Sequence, residues 1–198
     1  MTLPWLQEAK QSLCAARLAD RVPHALLLHE DPGAGGLQLA SWIAQLLLCR
    51  ESARAPCGAC PDCQWVRVRQ HPDCQHIQPE GKSRQIVVDQ VRDAVTELRL
   101  TGHSGRAKIA ILAPAEALNA NAANALLKTL EEPTPTTLLI LVTTQPSRLL
   151  PTIRSRCLKL RVAAPARSDA VQWLTDARGA GPWDAALAAL DTGPLALL

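Results

Sequence analysis

The stretch that most limits what this chain can become lies at residues 25–48. Ala25-Leu26-Leu27-Leu28 is aliphatic without alternation, the signature of a short strand buried on both faces. It stops at a turn carrying Pro32-Gly33 and Gly35-Gly36. Residues 37–48 are apolar on nearly all sides, which predicts a helix sandwiched against a sheet. A buried strand, a glycine turn and a buried helix in succession open an α/β layer fold and leave little room for an all-helical or all-strand one.

The rest of the chain repeats the alternation. Residues 3–18 read as a first amphipathic helix, 73–78 as a strand and 88–99 as a helix. Lys108-Ile-Ala-Ile-Leu112 is a second buried strand, residues 119–130 an Ala/Leu-rich helix stopped by Pro133, and 138–142 a third strand. The expected fold is therefore α/β, a parallel sheet flanked by helices. Near Ala163-Ala164-Pro165 the strands stop, and 167–177 and 182–190 read as two helices. The expected division is a first domain over 1–162 and a small helical domain over 163–198, the apolar tail after Gly193 reading as a truncation.

Composition narrows the class. With 47% hydrophobic and 20% charged residues, the 198-residue chain is too apolar for disorder and long enough to bury a core. A net charge of +3 is too small to announce a nucleic-acid binder. Residues 1–10 lack the pattern of a signal peptide, and no run approaches about 20 apolar residues, so a cytoplasmic protein without a membrane segment is expected. In a reducing compartment the seven cysteines are not read as disulfides. Cys14, Cys74 and Cys157 are scattered and are expected to be small buried side chains.

The other four form the pattern Cys49-x7-Cys57-x2-Cys60-x2-Cys63, in a loop with Pro56, Gly58 and Pro61. Four thiolates at these spacings suit one tetrahedral ion, and a four-sulfur set leaves no position for a catalytic water, so structural zinc is expected. An iron–sulfur cluster is the chemical competitor, and His71 is an alternative to Cys49, which sits at a helix end.

The glycine turn has the shape of a phosphate-binding loop without its chemistry. A working loop is Gly-x4-Gly-Lys-Ser/Thr, whose backbone N–H groups, lysine and hydroxyl hold phosphates and Mg²⁺. Around Gly33 and Gly35, Gly36 stands at the lysine position, Leu37 at the hydroxyl position and Glu30 at the first glycine, while Glu30 and Asp31 bring negative charge where phosphates would lie. The strand at 108–112 ends in Ala113-Pro114-Ala115-Glu116 rather than in metal-binding carboxylates, and Glu116 is expected to be solvated. Losing both features predicts a chain that binds no ATP.

The run from Asn119 to Glu132-Pro133, Leu141-Val-Thr-Thr144, the segment from Leu149-Leu-Pro to Ser155-Arg156-Cys157, and His24-Ala-Leu-Leu-Leu28 together closely resemble bacterial clamp-loader subunits of the AAA+ lineage, of the delta-prime and gamma/tau types. His71-Pro-Asp73, Pro79-Glu-Gly-Lys-Ser83 and Val88-Asp-Gln-Val-Arg92 favour the delta-prime type. The resemblance spans essentially the whole chain. It implies a zinc module, here at about 49–72, between the loop helix and the next strand. It also implies a rigid stator without its own ATP site, within a loader that places a sliding clamp on primed DNA during replication. Gamma/tau and delta subunits are the implied partners, and the whole is part of the replicative polymerase holoenzyme. Arg156 matches the arginine that reaches in trans into a neighbour's ATP site, a task suited to a permanently charged, forked donor. Thr143 and Thr144 fall at the family's polar sensor position, and Ala196 stands where nucleotide-binding members carry a phosphate-sensing arginine. The collar domain that assembles such loaders is expected to be missing, leaving a monomer.

Two other functions compete. An active gamma/tau-type ATPase is opposed by Gly36, Leu37, Ala113 and Pro114. A zinc-dependent DNA-binding module would use Arg50, Arg54, Arg67 and Arg69, but no aromatic interleaving accompanies them.

Overall fold

Alternate residues of three adjacent strands of the sheet feed two different cores, and this accounts for their unbroken apolar runs. The structure, a computed structural model, describes residues 2–100, 102 and 105–198. A turn at Pro4–Leu6 leads into α1 (Gln7–Leu18), followed by β1 (Ala25–Glu30), α2 (Gly36–Leu48), α3 (Pro61–Arg67) and β2 (Cys74–Ile77). Then come α4 (Val88–Arg99), β3 (Lys108–Leu112), α5 (Ala120–Glu131) and β4 (Thr137–Thr143). The chain closes with α6 (Pro151–Arg156), β5 (Leu158–Val162), α7 (Arg167–Arg178), α8 (Trp183–Leu190) and a turn at Pro194–Leu197.

The five strands form one parallel sheet in the order β2-β3-β4-β1-β5. Leu26 and Leu28 of β1, Ile109 and Ile111 of β3, and Leu138, Ile140 and Val142 of β4 join α1 and α2 in one core. Ala25 and Leu27, Ala110 and Leu112, and Leu139 and Leu141 point the other way, into a core completed by α4, α5 and α6. Both faces are covered, as the sequence predicts.

The helices follow from their spacing. Val91, Ala94 and Leu98 form the buried stripe of α4, and Ala122, Ala123, Leu126 and Leu130 that of α5. Asn119 caps α5, its Oδ1 accepting from the Ala122 N–H at 2.8 Å. After Val162 the chain turns helical, and Ala170, Leu174 and Leu187 of α7 and α8 make a small cluster of their own. This segment is tied back to the start of the chain: Trp173 meets Trp5 edge-on at 5.3 Å, and its Nε1 donates to the Thr2 carbonyl at 2.9 Å.

Three elements go beyond the sequence reading. α3 and α6 are too short for a periodicity to register, though each opens with proline at the first helical position, a usable signal. β5 is an edge strand whose Leu158, Lys159 and Arg161 face solvent, so it lacks the apolar run that marks the central strands. Cys74 and Cys157 are buried as expected, whereas Cys14 is only half-buried, packed against the edge of the core that α1 and α2 share with the sheet. Among the described residues no helix is long and apolar enough to cross a membrane.

Candidate functional site

The glycine loop hangs between β1 and α2, and its geometry requires glycine. Gly33 and Gly35 have φ of 72° and 100°, and Gly35, the N-cap of α2, has no side chain of its own to satisfy the first helical N–H groups. The carboxylate of Glu30 takes that role. The Gly36 N–H donates to Glu30 Oε2, and the Gly35 N–H bonds the same carboxylate. A Cβ at position 36 would lie 2.6 Å from Glu30 Oε2, so the missing side chain makes room for the acid. Burial pushes the Glu30 carboxyl above its ordinary value; the two N–H bonds pull it back, and the charge of Glu116 adds to the rise. The anion in this cradle is therefore the chain's own. Asp31, grouped with Glu30 in the sequence reading, is engaged elsewhere: it accepts from Arg161 Nη2 at 2.6 Å and from the Ala164 N–H at 3.1 Å, at the end of β5.

The loop is covered from above by the last residues. The Gly193 N–H donates to the Pro32 carbonyl at 2.6 Å, the Leu195 N–H to the Gly33 carbonyl at 3.1 Å, and Thr192 Oγ1 to the Pro32 carbonyl at 3.0 Å. A Cβ on Gly193 would meet the Gly33 carbonyl group at 2.7 Å. Backbone presses on backbone here, which a side chain at either glycine would prevent.

Glu116 corrects an expectation. It is half-buried rather than solvated, and its Oε1 accepts from the Thr144 N–H at 3.3 Å and from Thr144 Oγ1 at 2.9 Å. Thr143, 1% exposed, accepts the Gln145 N–H on Oγ1 at 3.0 Å. Both threonines thus shape the turn after β4. The sequence places Glu116 beyond a strand end, and only the sheet brings Thr144 beside it.

The four clustered cysteines converge. Cys49 at the end of α2 and Cys63 in α3 are buried, Cys57 and Cys60 half-buried, and their sulfur atoms all lie within 4.8 Å of one another. Among the described residues this is the one group of three or more such side chains that a metal ion would fit. Backbone amides point at the sulfurs, Cys57 N–H to Cys49 Sγ at 3.4 Å, Cys60 N–H to Cys57 Sγ at 3.3 Å and Cys63 N–H to Cys60 Sγ at 3.5 Å. The Cys60 and Ala59 N–H groups bring the Cys57 thiol down to about 6, while burial pushes Cys49 and Cys63 up. An all-sulfur set with amide support fits a structural zinc ion.

His71, the alternative ligand, is not in this set. Its Nδ1 accepts the Asp73 N–H at 3.0 Å, and its Nε2 lies 3.4 Å from Asp62. Asp62, 2% exposed, also receives Arg50 Nε at 2.6 Å and has Arg106 at 3.9 Å. Arg50 holds the Asp62 carboxyl below its ordinary range. This knot joins the cysteine loop to the body of the fold; the sequence reading missed it, because a lone Asp between two ligands carries no signal for burial.

Arg156 closes α6. Ile153 and Cys157 on either side are buried, and burial takes the Cys157 thiol up to about 11. The two apolar neighbours anchor the helix while the arginine turns outward, its side chain 36% exposed. Its Nη1 donates to the Thr152 carbonyl at 3.1 Å and its Nη2 pairs with Glu131 Oε1 at 2.7 Å. Arg154 is half-buried, and its Nε has no hydrogen-bond partner among the described residues.

A family profile described as "DNA polymerase III, delta subunit" matches residues 5–166. DNA polymerase III subunit delta' of Pseudomonas aeruginosa is 45% identical over 175 residues, covering 88% of this chain and 52% of the relative. The chain belongs to the DNA polymerase III delta-prime family. Its Escherichia coli relative of the same name is 39% identical over 173 residues, again covering 52% of that protein. The chain thus spans about half the length of the curated relatives it matches. DNA polymerase III subunit tau of Escherichia coli is 32% identical over 145 residues, or 73% of this chain and 22% of the relative. Among solved structures, a DNA polymerase III gamma subunit-related protein from Thermotoga maritima superposes with a TM-score of 0.58 at 22% identity, covering 82% of this chain and 49% of that one. The RuvB branch migration motor of the same organism gives 0.54 at 17% identity, covering 88% and 49%. At such identities the likeness bears on fold alone, which is an AAA+-like α/β fold.

Proposed function

We propose that this delta-prime family chain acts in a clamp loader as a rigid member that uses no nucleotide itself and supplies Arg156 in trans to the ATP site of a neighbouring gamma/tau subunit. The observation that carries this reading is the Glu30 carboxylate seated on the Gly35 and Gly36 N–H groups. A phosphate entering the loop would have to displace the Glu30 carboxylate and separate the backbone bonds from Gly193 and Leu195, with no lysine or hydroxyl in return. Arg156 supports the second half: it is anchored by buried neighbours, outward-facing and forked.

In the same reading the partners are gamma/tau and delta subunits, and through them the sliding clamp and primed DNA, in the cytoplasm. Cys49, Cys57, Cys60 and Cys63 hold one structural zinc ion that closes the loop between α2 and α3. Residues 1–162 form the sheet domain and 163–198 belong to a helical lid.

Two measurements test the proposal. Millimolar ATP with Mg²⁺ is expected to leave the melting temperature unchanged, since a ligand bound only by the folded chain raises it; a clear rise contradicts the reading. In the assembled loader, Arg156→Ala should slow single-turnover hydrolysis at the adjoining site, where an arginine supplied in trans is worth on the order of 10³ to 10⁵ in rate. Arg156→Lys should restore little, because lysine keeps the charge without the fork. A normal rate at that site in an intact Arg156→Ala assembly would make Arg156 a structural residue.

A further inference from the structure

We propose that Glu131 is a catch for Arg156, holding the guanidinium on its own subunit until a stronger anion draws it away; this rests on the in-trans reading of Arg156 given above. Glu131 is the last residue of α5 and Arg156 the last of α6. The two helix ends lie side by side, so the ion pair at 2.7 Å is made between neighbouring termini. Pro133 follows two residues on, and the α5 helix ends at Glu131, which fixes the backbone from which the carboxylate projects.

The guanidinium spends Nη2 on Glu131 and Nη1 on the Thr152 carbonyl. An arginine has five N–H donors, so the parked side chain keeps donors free for an incoming acceptor. The pair is neither sealed nor loose: Arg156 is 36% and Glu131 50% exposed. An ion pair in such a setting is weak and screened by salt. A γ-phosphate carries more charge than one carboxylate and takes forked donors from arginine, so it outcompetes Glu131 once the neighbouring site is brought close. Without that approach, the carboxylate keeps the arginine at home. The arrangement biases when the arginine enters the neighbour's site and leaves its final contacts there untouched.

Glu131→Gln tests this, since it keeps size and a carbonyl acceptor and removes the charge. In the assembled loader, without clamp or primed DNA, hydrolysis at the adjoining site is expected to rise about two- to fivefold, the bias an exposed ion pair can hold. The fully stimulated rate should stay the same, so stimulation by clamp and primed DNA falls by the same factor. General damage to the fold lowers rates and does not produce this gain. In an Arg156→Ala background the Glu131→Gln change should do nothing further, because the catch has nothing to hold. A second readout needs no activity. On the isolated chain, phenylglyoxal modification of Arg156, followed by mass spectrometry of its peptide, should be faster in Glu131→Gln and should speed up in the parent as salt rises. Labelling that is unchanged by Glu131→Gln, or a resting rate that does not rise, overturns the catch alone. An Arg156→Ala loader with a normal rate removes the in-trans role and the catch together.

Discussion

Glu30 carries a cost that its two amide partners offset only in part. Unfolded, its carboxyl releases a proton near 4.5; folded, burial lets it hold the proton to higher pH. Between those values the folded chain binds more protons than the unfolded one, so stability falls as pH rises through that window, and the full penalty is present above it. Glu30→Gln keeps an oxygen for the Gly36 N–H and has nothing to ionise. It is expected to melt above the parent at pH 7 to 8, with the difference shrinking as pH drops through the raised carboxyl value. Melts recorded across a pH series check this, and a variant that never exceeds the parent rules it out. At this scale the sequence was legible in the glycine turn itself, where Gly33 and Gly35 take the positive φ that the turn between β1 and α2 requires. It was silent where a side chain's fate depends on a distant partner. Glu116 is claimed by Thr144 and Asp31 by Arg161, and in both cases the sheet, not the local sequence, makes the meeting.

Among the elements, the cysteine loop and the cover over the glycine loop invite separate tests. The isolated chain is expected to bind one zinc ion per molecule when prepared reduced and without chelator, as metal analysis would reveal. Cys60→Ser should abolish this and increase hydrogen exchange across residues 49–72 while the strands stay protected, because the two sheet cores have their own apolar contacts. Full metal content in Cys60→Ser would remove Cys60 from the ligand set. Gly193→Ala addresses the cover. Its new Cβ meets the Gly33 carbonyl group at 2.7 Å, where both partners are backbone and cannot swing aside. A loss of about 1 to 3 kcal/mol is expected from denaturant unfolding, the usual cost of forced overpacking. Parent-like stability would mean that residues 192–197 lift freely. The long elements were legible in advance and the short ones were not, for a physical reason. α4 and α5 run for three turns and show a stripe, whereas α3 and α6 end before a stripe can form, and β5 trades apolar residues for charge because one of its edges is open.

The two large cores share the strands of one sheet, so damage to either should be felt across the sheet. Leu112, fully buried in β3, contacts the α4–α5 side; Leu112→Ala is expected to cost about 2 to 5 kcal/mol through lost burial and the cavity left behind. Calorimetry should show a single transition at lower temperature, and an unchanged melt would contradict the assignment of Leu112 to the core. The strand order has a further meaning. β1 is made well before β4 and β5, its neighbours in the sheet, with Ala25 opposite Leu139 and Leu26 opposite Leu158. At roughly 5 to 20 residues per second, Leu26, Leu27 and Leu28 wait on the order of ten seconds before a partner strand exists. Pairings this distant in sequence are slow to close even in a finished chain. The aliphatic run of β1 is thus without its strand partners for much of the chain's own synthesis, and a nascent chain halted before residue 137 should be held by a chaperone rather than fold.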